Sequence, residues 1–376
     1  MRLIDNLLPR SEERLTSNPA LGMQDLVKLF TYQGRQYGIP GSPAMMPGDG
    51  FADYIEQIHR ATPVVSSAAV SRALLMSQLR FQARADDGTL STPAPLDVLR
   101  RPGAVTRSAF LSAMEMHASY AGSAYPVLKN GRLFLLRPDW VDQVLASESG
   151  PVQTDNGEWV PPSDAERVGL VYQPVARDGS RGRREVFQRG EFAVWAPEPD
   201  PVYWWRGVSW VTAVLSEFCL DGQVTDHQHK FFEKAATPHL VFTMDPAKTP
   251  EQVRDFADVL NETHTSPENA HKNLFLGGGT DVKIVGSDLD KLALKDLSGG
   301  FETRVASRSM VPAVILGIRE GLGGSALNSG NYGQTRRQWA DKWFTPTADG
   351  LCETLEDVVS LPSTQEITRD RSHVIS

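Results

Sequence analysis

Few residues in this chain of 376 stand at the spacings that chemistry requires. His227 and His229 are two positions apart. On a helix such side chains point about 200 degrees from each other, so they cannot hold one metal ion together. They read as two partly exposed helix histidines. Asp288 and Asp290 form a carboxylate pair, but no His or third acid stands beside them, and they read as a solvated turn. The run Gly321-Leu-Gly-Gly-Ser325 has the outward look of a phosphate cradle. It lacks the Gly-Lys-Ser/Thr ending of a nucleotide loop and follows a predicted helix rather than a strand. Position 327 is Leu, so no Gly-x-Ser-x-Gly elbow surrounds Ser325. The sequence nominates no catalytic group, no cofactor and no metal. The enzyme alternative, a cytosolic α/β enzyme with a glycine-rich active-site loop around Ser325, is left without a base.

Composition narrows the class further. Hydrophobic residues at 40% and charged residues at 22% suit an ordinary globular protein with a sizeable core, organised as two or three domains. No apolar run reaches membrane-spanning length, and Asp5 interrupts what a signal peptide would keep basic and then apolar. A cytoplasmic site of synthesis is therefore expected. Cys219 and Cys352 are far apart and read as packed core thiols. The formal net charge of −8 argues against gripping a phosphate backbone by charge alone, and no basic stripe is visible, which disfavours a DNA-binding module. It does not exclude a wall past which DNA slides.

The elements that would position any site follow from caps, periods and turns. The first fifty residues are rich in Pro, Gly, Asn and Ser, and residues 1–61 read as an extended arm with at most one short helix, around residues 24–32. A helix is predicted over 62–79 from the Thr62-Pro63 start, and a second, amphipathic one over 106–120. Two strands around Asn130-Gly131 predict a hairpin. Strands continue through 168–195, broken by a polar tip at 177–184. After Glu198-Pro-Asp-Pro201 the pattern becomes helical from 208 to about 234. A small α/β segment follows, with strands at 239–244, 273–276 and 281–285 and a helix from Thr249-Pro250 to about 261. Helix returns over 300–316. Residues 317–331 hold five glycines and read as irregular. A long helix comes next, with Trp339, Trp343, Leu351, Leu355 and Val358 or Val359 on one packing stripe and a kink expected at Pro346 and Gly350.

This order of elements resembles the portal protein family of long-tailed double-stranded DNA bacteriophages, and local stretches carry the likeness. Tyr120-Ala-Gly-Ser-Ala-Tyr125 is similar to the family's aromatic helix end before a strand. Phe231-Phe-Glu-Lys-Ala-Ala-Thr-Pro238 resembles its Phe-Phe-x-Asn-Gly-x-x-Pro passage, with Lys234-Ala235 in place of Asn-Gly. The stretch Val305–Gly317, ending Met310-Val-Pro-Ala-Val-Ile-Leu-Gly317, resembles its Ile-Ala-x-x-Phe-x-Val-Pro-Pro-x-Leu-Leu-Gly signature, departing at Ser309 and Ala313. Asn331-Tyr-Gly-Gln-Thr335 and Trp343-Phe-Thr-Pro346 resemble its continuation. The likeness covers roughly residues 62–359.

The resemblance implies an α+β portal fold: a mixed α/β wing, a helical stem, a small α/β clip, a tunnel loop and a long kinked helix. In this chain these would be the wing at 62–207, stem helices at 208–236 and 297–316, and the clip at 237–296. The tunnel loop would be 317–331 and the kinked helix 332–360. Residues 361–376 would form a tail or the start of a short crown. It implies a structural, non-catalytic ring of twelve copies at a capsid vertex of the virion, assembled in the host cytoplasm. Its partners would be double-stranded DNA, a terminase motor, a head–tail adaptor, and major capsid and scaffold proteins, with no membrane. Arg319, Leu322, Ser325, Leu327 and Asn328 become candidate DNA-facing residues of the tunnel loop. Lys248, Arg254, Lys272 and Lys283 become candidate docking residues of the clip. Without the resemblance, the loop would be a plain connection between helices and the insert an ordinary small subdomain.

Overall fold

The computed structural model describes residues 28–33, 51–103, 105–147, 149, 151–153, 159–176, 178–201, 204–215, 218, 222, 240–243, 249–264, 281–284, 294–318 and 329–370. The chain divides into two units: Met1–Leu215 with Thr303–Ser376, and Ser216–Glu302.

The larger unit begins with strand β1 (Lys28–Gln33), which pairs antiparallel with a strand far along the chain. The sequence there predicts a helix at 24–32. Strand pairing wins at residues 28–33 because a sheet edge from elsewhere satisfies the backbone, which no local rule anticipates. Helix α1 (Pro63–Met76) opens as expected, with Thr62 extended at the cap and Pro63 at the first helical position, where its missing N–H costs nothing. It buries Val65, Ala68, Ala69, Arg72, Ala73 and Met76, spaced in threes and fours on one face. Strands β2 (Phe81–Ala85) and β3 (Leu90–Ser91) follow. Helix α2 (Arg107–Ala121) starts at Thr106, whose Oγ1 accepts from the Ala109 N–H at 3.2 Å, and stops at Gly122, held at φ 74. Small side chains let α1 and α2 approach closely, and Ser112 Oγ donates to the Ala73 carbonyl at 3.2 Å.

The predicted hairpin is present as β4 (Tyr125–Lys129) and β5 (Arg132–Leu136), with Asn130 and Gly131 both at positive φ, as a primed two-residue turn requires. Strand β6 (Val141–Ser147) is the partner of β1. Strands β7 (Val152–Gln153) and β8 (Trp159–Val160) pair with each other. Strands β9 (Glu166–Tyr172) and β10 (Glu185–Gln188) complete a four-stranded antiparallel sheet in the order β1-β6-β9-β10. A bulge at Val144/Leu145 shifts the register of β6 against β9. At the polar tip between β9 and β10, Asp178 Oδ1 accepts from the Ser180 N–H at 2.9 Å. One core cluster joins hairpin and sheet through Tyr125, Val127, Leu136, Val141, Leu170, Phe187 and Phe192. The helix predicted from 208 begins later: Thr212–Val214 form a tight turn, Leu215, Phe218 and Gly222 are helical, and the other residues of the prediction beyond Leu215 lie outside the described residues.

In the smaller unit, β11 (Leu240–Thr243) pairs antiparallel with β12 (Asp281–Ile284). Helix α3 (Pro250–His264) starts where the sequence places it, and the Thr249 N–H donates to Gln252 Oε1 at 3.2 Å. The strand predicted at 273–276 lies outside the described residues.

Helix α4 (Leu294–Ser309) ends earlier than the sequence predicts. Met310 takes φ 58, and Pro312, which has no N–H to continue a helix, starts a separate turn at Ala313–Leu316. Helix α5 (Ser329–Trp339) includes three residues expected to be irregular. The predicted kink lies just before Pro346, as a wide turn over Ala340–Phe344 leading into α6 (Thr345–Leu355). The missing N–H of Pro346 removes one helical bond, and a wider turn accommodates the loss. Strand β13 (Gln365–Arg369), in the segment read as a tail or short crown, pairs with β2 in the sheet order β13-β2-β3.

Candidate functional site

Among the described residues, a heavily built polar site lies inside the larger unit, at Arg72. The buried stripe of α1 presents this arginine at the position where an aliphatic residue would be expected, and α2 presents Glu115 between Met114 and Ala118. Arg72 Nε donates to Glu115 Oε1 at 2.7 Å, with side-chain exposures of 2% and 0%. A second guanidinium nitrogen donates to the Ser309 carbonyl at 3.2 Å. The guanidinium also lies 4.6 Å from the ring centre of Trp343 and 5.8 Å from that of Trp210. Ser119 Oγ donates to Glu115 Oε1 at 3.0 Å and accepts from the Trp210 indole N–H at 3.0 Å. Ser209 Oγ donates to the Ser119 carbonyl at 2.6 Å. Burial pushes the Glu115 carboxyl up, while the Arg72 charge and the Ser119 hydroxyl pull it back down.

This node gathers α1, α2, residues 209–210, the end of α4 at Ser309 and the wide turn at Trp343. Ser309, where the portal signature carries Phe, is itself tied down: its Oγ donates to the Ala306 carbonyl at 3.1 Å. Beside it, Arg308 donates to both carboxylate oxygens of Glu198, at 3.1 and 2.5 Å. Trp339 and Trp343 stack at 5.7 Å with their planes 15° apart, a packing role as expected from their stripe.

A cavity of about 290 Å³ opens beside the node, with Arg72, Trp195, Glu198, Lys342 and Trp343 among its walls. Arg72 is already committed to Glu115, and Glu198 to Arg308. The arrangement clamps segments of the larger unit together. Two histidines sit nearby in α2's environment. His59 Nδ1 and the Tyr120 hydroxyl lie 2.7 Å apart, and burial raises the Tyr120 hydroxyl far above its ordinary range. Burial lowers His117 to about 4, helped by the Arg137 charge.

Of the sequence-predicted site residues, Arg254 is exposed on α3, and Lys283 lies in β12 opposite Val241. Lys248, Lys272, Arg319, Leu322, Ser325, Leu327 and Asn328 lie outside the described residues, as do His227, His229, Asp288, Asp290 and Cys219. Cys352 is buried. Among the described residues no group of three or more His, Cys, Asp or Glu converges as a metal would need, and no helix is long and apolar enough to cross a membrane. Sequence reasoning missed Arg72 and Glu115 altogether. The local pattern does not mark them: Val70 and Leu74, apolar in sequence, are exposed on the same helix that buries Arg72, because burial is set by what packs over it.

A family model described as phage portal protein matches residues 61–373. The chain belongs to the phage portal family. Its fold is that of solved relatives. It is similar to a chain of the neck of a native gene transfer agent particle, computed with C12 symmetry, at 18% identity and TM-score 0.60, covering 88% of this chain and 86% of that one. A chain from the virion of the native particle gives 19% identity and TM-score 0.58, covering 89% and 87%. No curated protein matches. The family expected from the order of elements is therefore the family found, and the mixed α/β architecture agrees with it.

Proposed function

We propose that this chain is the portal subunit of a tailed-phage-type particle. In this reading it forms a closed ring at one capsid vertex of the virion, passes double-stranded DNA during packaging and ejection, and offers a platform to a terminase motor and a head–tail adaptor. The observation that carries the reading is the family match over residues 61–373. The fold shared with a neck solved in C12 symmetry supports a ring, and the family supports twelve copies. A cyclic ring needs heterologous contacts, one face of each subunit against a different face of the next.

The role is structural rather than catalytic. The residues between Gly317 and the start of α5 at Ser329 act as the tunnel loop, with Arg319, Leu322, Ser325, Leu327 and Asn328 turned to DNA. Arg319 touches phosphates transiently, one weak sequence-independent contact per subunit. The net charge of −8 per chain is multiplied around the ring, and an acidic channel repels DNA from all sides so that it slides without sticking. Lys248, Arg254, Lys272 and Lys283 belong to the clip, which meets the motor and the adaptor. Capsid and scaffold proteins are the remaining partners, met during assembly in the host cytoplasm.

Light scattering of the purified chain with negative-stain imaging tests the reading. Rings with a central hole and a mass on the order of half a megadalton are expected. A protein that stays monomeric alone and also with the particle's capsid and scaffold proteins overturns it.

A further inference from the structure

The larger unit carries a second charged feature, which runs against the chain's net charge of −8. Arg100 closes a short helical turn, Arg101 follows it, and Arg132 opens β5 directly after the Asn130-Gly131 turn. These three line one concavity of about 450 Å³ together with Asp97, Val98 and Gly131. The approach of the two segments depends on Gly103, at φ 42, where a Cβ would stand 2.7 Å from the Leu133 carbonyl oxygen. Any side chain there would push the loop away from β5. Arg107, the first residue of α2, and Arg80, between α1 and β2, flank the group. Burial lowers the Arg107 guanidinium below its usual range, and the charges of Arg80 and Arg100 lower it further, so the three are electrostatic neighbours. Among the described residues only Arg100 of these five has a carboxylate partner, Asp97 at 3.1 Å, and that pair is exposed.

We infer that this concavity binds the phosphodiester backbone of a nucleic acid, without reading its bases. Guanidinium forks match phosphate oxygens in pairs, and all five cations here are arginine rather than lysine. An acidic protein partner would want an apolar or aromatic anchor at the centre of the contact. The walls here offer three guanidiniums, one carboxylate and only Val98 as an apolar side chain. None of these residues belongs to the proposed tunnel loop or clip, so the inference does not depend on the channel reading.

The test is fluorescence anisotropy of a labelled random-sequence DNA duplex of about 25 base pairs, titrated with the full chain across salt concentrations. Wild-type protein is expected to bind duplexes of different sequence alike. The variant R100Q/R101Q/R132Q should bind at least about tenfold more weakly near 50 mM salt, and its plot of log affinity against log salt should flatten by about 2 to 3. R100K/R101K/R132K should keep the slope while losing a few-fold in affinity. Circular dichroism melts of all three proteins must superimpose. Equal duplex affinity and slope in wild type and the Gln variant overturn the inference, as does a wild type that binds no duplex. Loss of polyglutamate binding in the Gln variant with duplex binding untouched also overturns it, in favour of an acidic protein partner. Light scattering of the same samples reports ring formation separately, so failure of the patch and failure of the ring are distinguishable.

Discussion

Arg72 and Glu115 form an ion pair at 2.7 Å with almost no solvent access, and the guanidinium lies close to the rings of both Trp343 and Trp210. Desolvating two charges is expensive, and only their mutual attraction and added hydrogen bonds offset it. Removing one partner leaves the other uncompensated. Arg72→Met or Glu115→Leu alone is expected to cost about 3–5 kcal/mol, whereas the double replacement R72M/E115L should lie within about 2 kcal/mol of wild type. Urea midpoints of the four proteins measure the coupling. Additive single effects would show that the pair does not act as a unit.

Gly207 approaches Gly122 so closely that a Cβ on it would sit 1.9 Å from the Gly122 carbonyl oxygen. The neighbour is backbone and cannot swing aside. Gly207→Ala is therefore expected to destabilise by more than about 3 kcal/mol, since it breaks the approach that also lets the Gly207 N–H reach Ser123 Oγ at 3.0 Å. Gly333 and Gly350 lie within α5 and α6, where an added Cβ would meet nothing within 4 Å. Alanine at either should raise stability by about 0.5–1 kcal/mol, readable as a higher melting temperature.

His117 packs edge-on against Phe51, with ring centres 5.2 Å apart, and its Nδ1 is buried without a hydrogen-bond partner among the described residues. Its pKa, lowered to about 4 by burial first and the Arg137 charge second, lies below the value near 6.5 expected when unfolded. The unfolded chain thus holds more protons between these values. Stability from this group is present above about pH 6.5 and is lost as pH falls through 4, by about 3 kcal/mol in total. Urea denaturation from pH 7 to 4.5 should show a steeper acid loss for wild type than for His117→Phe. Parallel curves would contradict the assignment.

The Cys352 thiol is buried in α6, and burial together with the Asp349 charge pushes it up to about 12. A thiolate is the reactive species, so Cys352 is expected to be inert. In a Cys219→Ala background, a thiol reagent at pH 8 should label less than about a tenth of the native protein in the time that labels the urea-unfolded chain fully. Fast native labelling would mean that α6 opens far more readily than its packing suggests.

What the sequence determined by itself is what neighbouring residues decide among themselves. Thr62-Pro63 and Thr106 start helices, Asn130-Gly131 turns a hairpin, and Thr249 with Gln252 caps α3, because caps and tight turns are satisfied within a few residues. The order of these elements was enough to suggest the family. The tertiary structure alone decided what rests on distant partners. Residues 28–33 look helical until β6 supplies a strand edge, and residues 365–369 look like a tail until β2 does. Arg72 and Glu115 read as ordinary polar helix positions because burial is imposed by the chain packed over them, at Trp210, Ser309 and Trp343. The arginine concavity is invisible as a stripe for the same reason. Arg100 and Arg101 come from one segment and Arg132 from another, and only the close approach of the backbone at Gly103 to β5 sums their charges at one place.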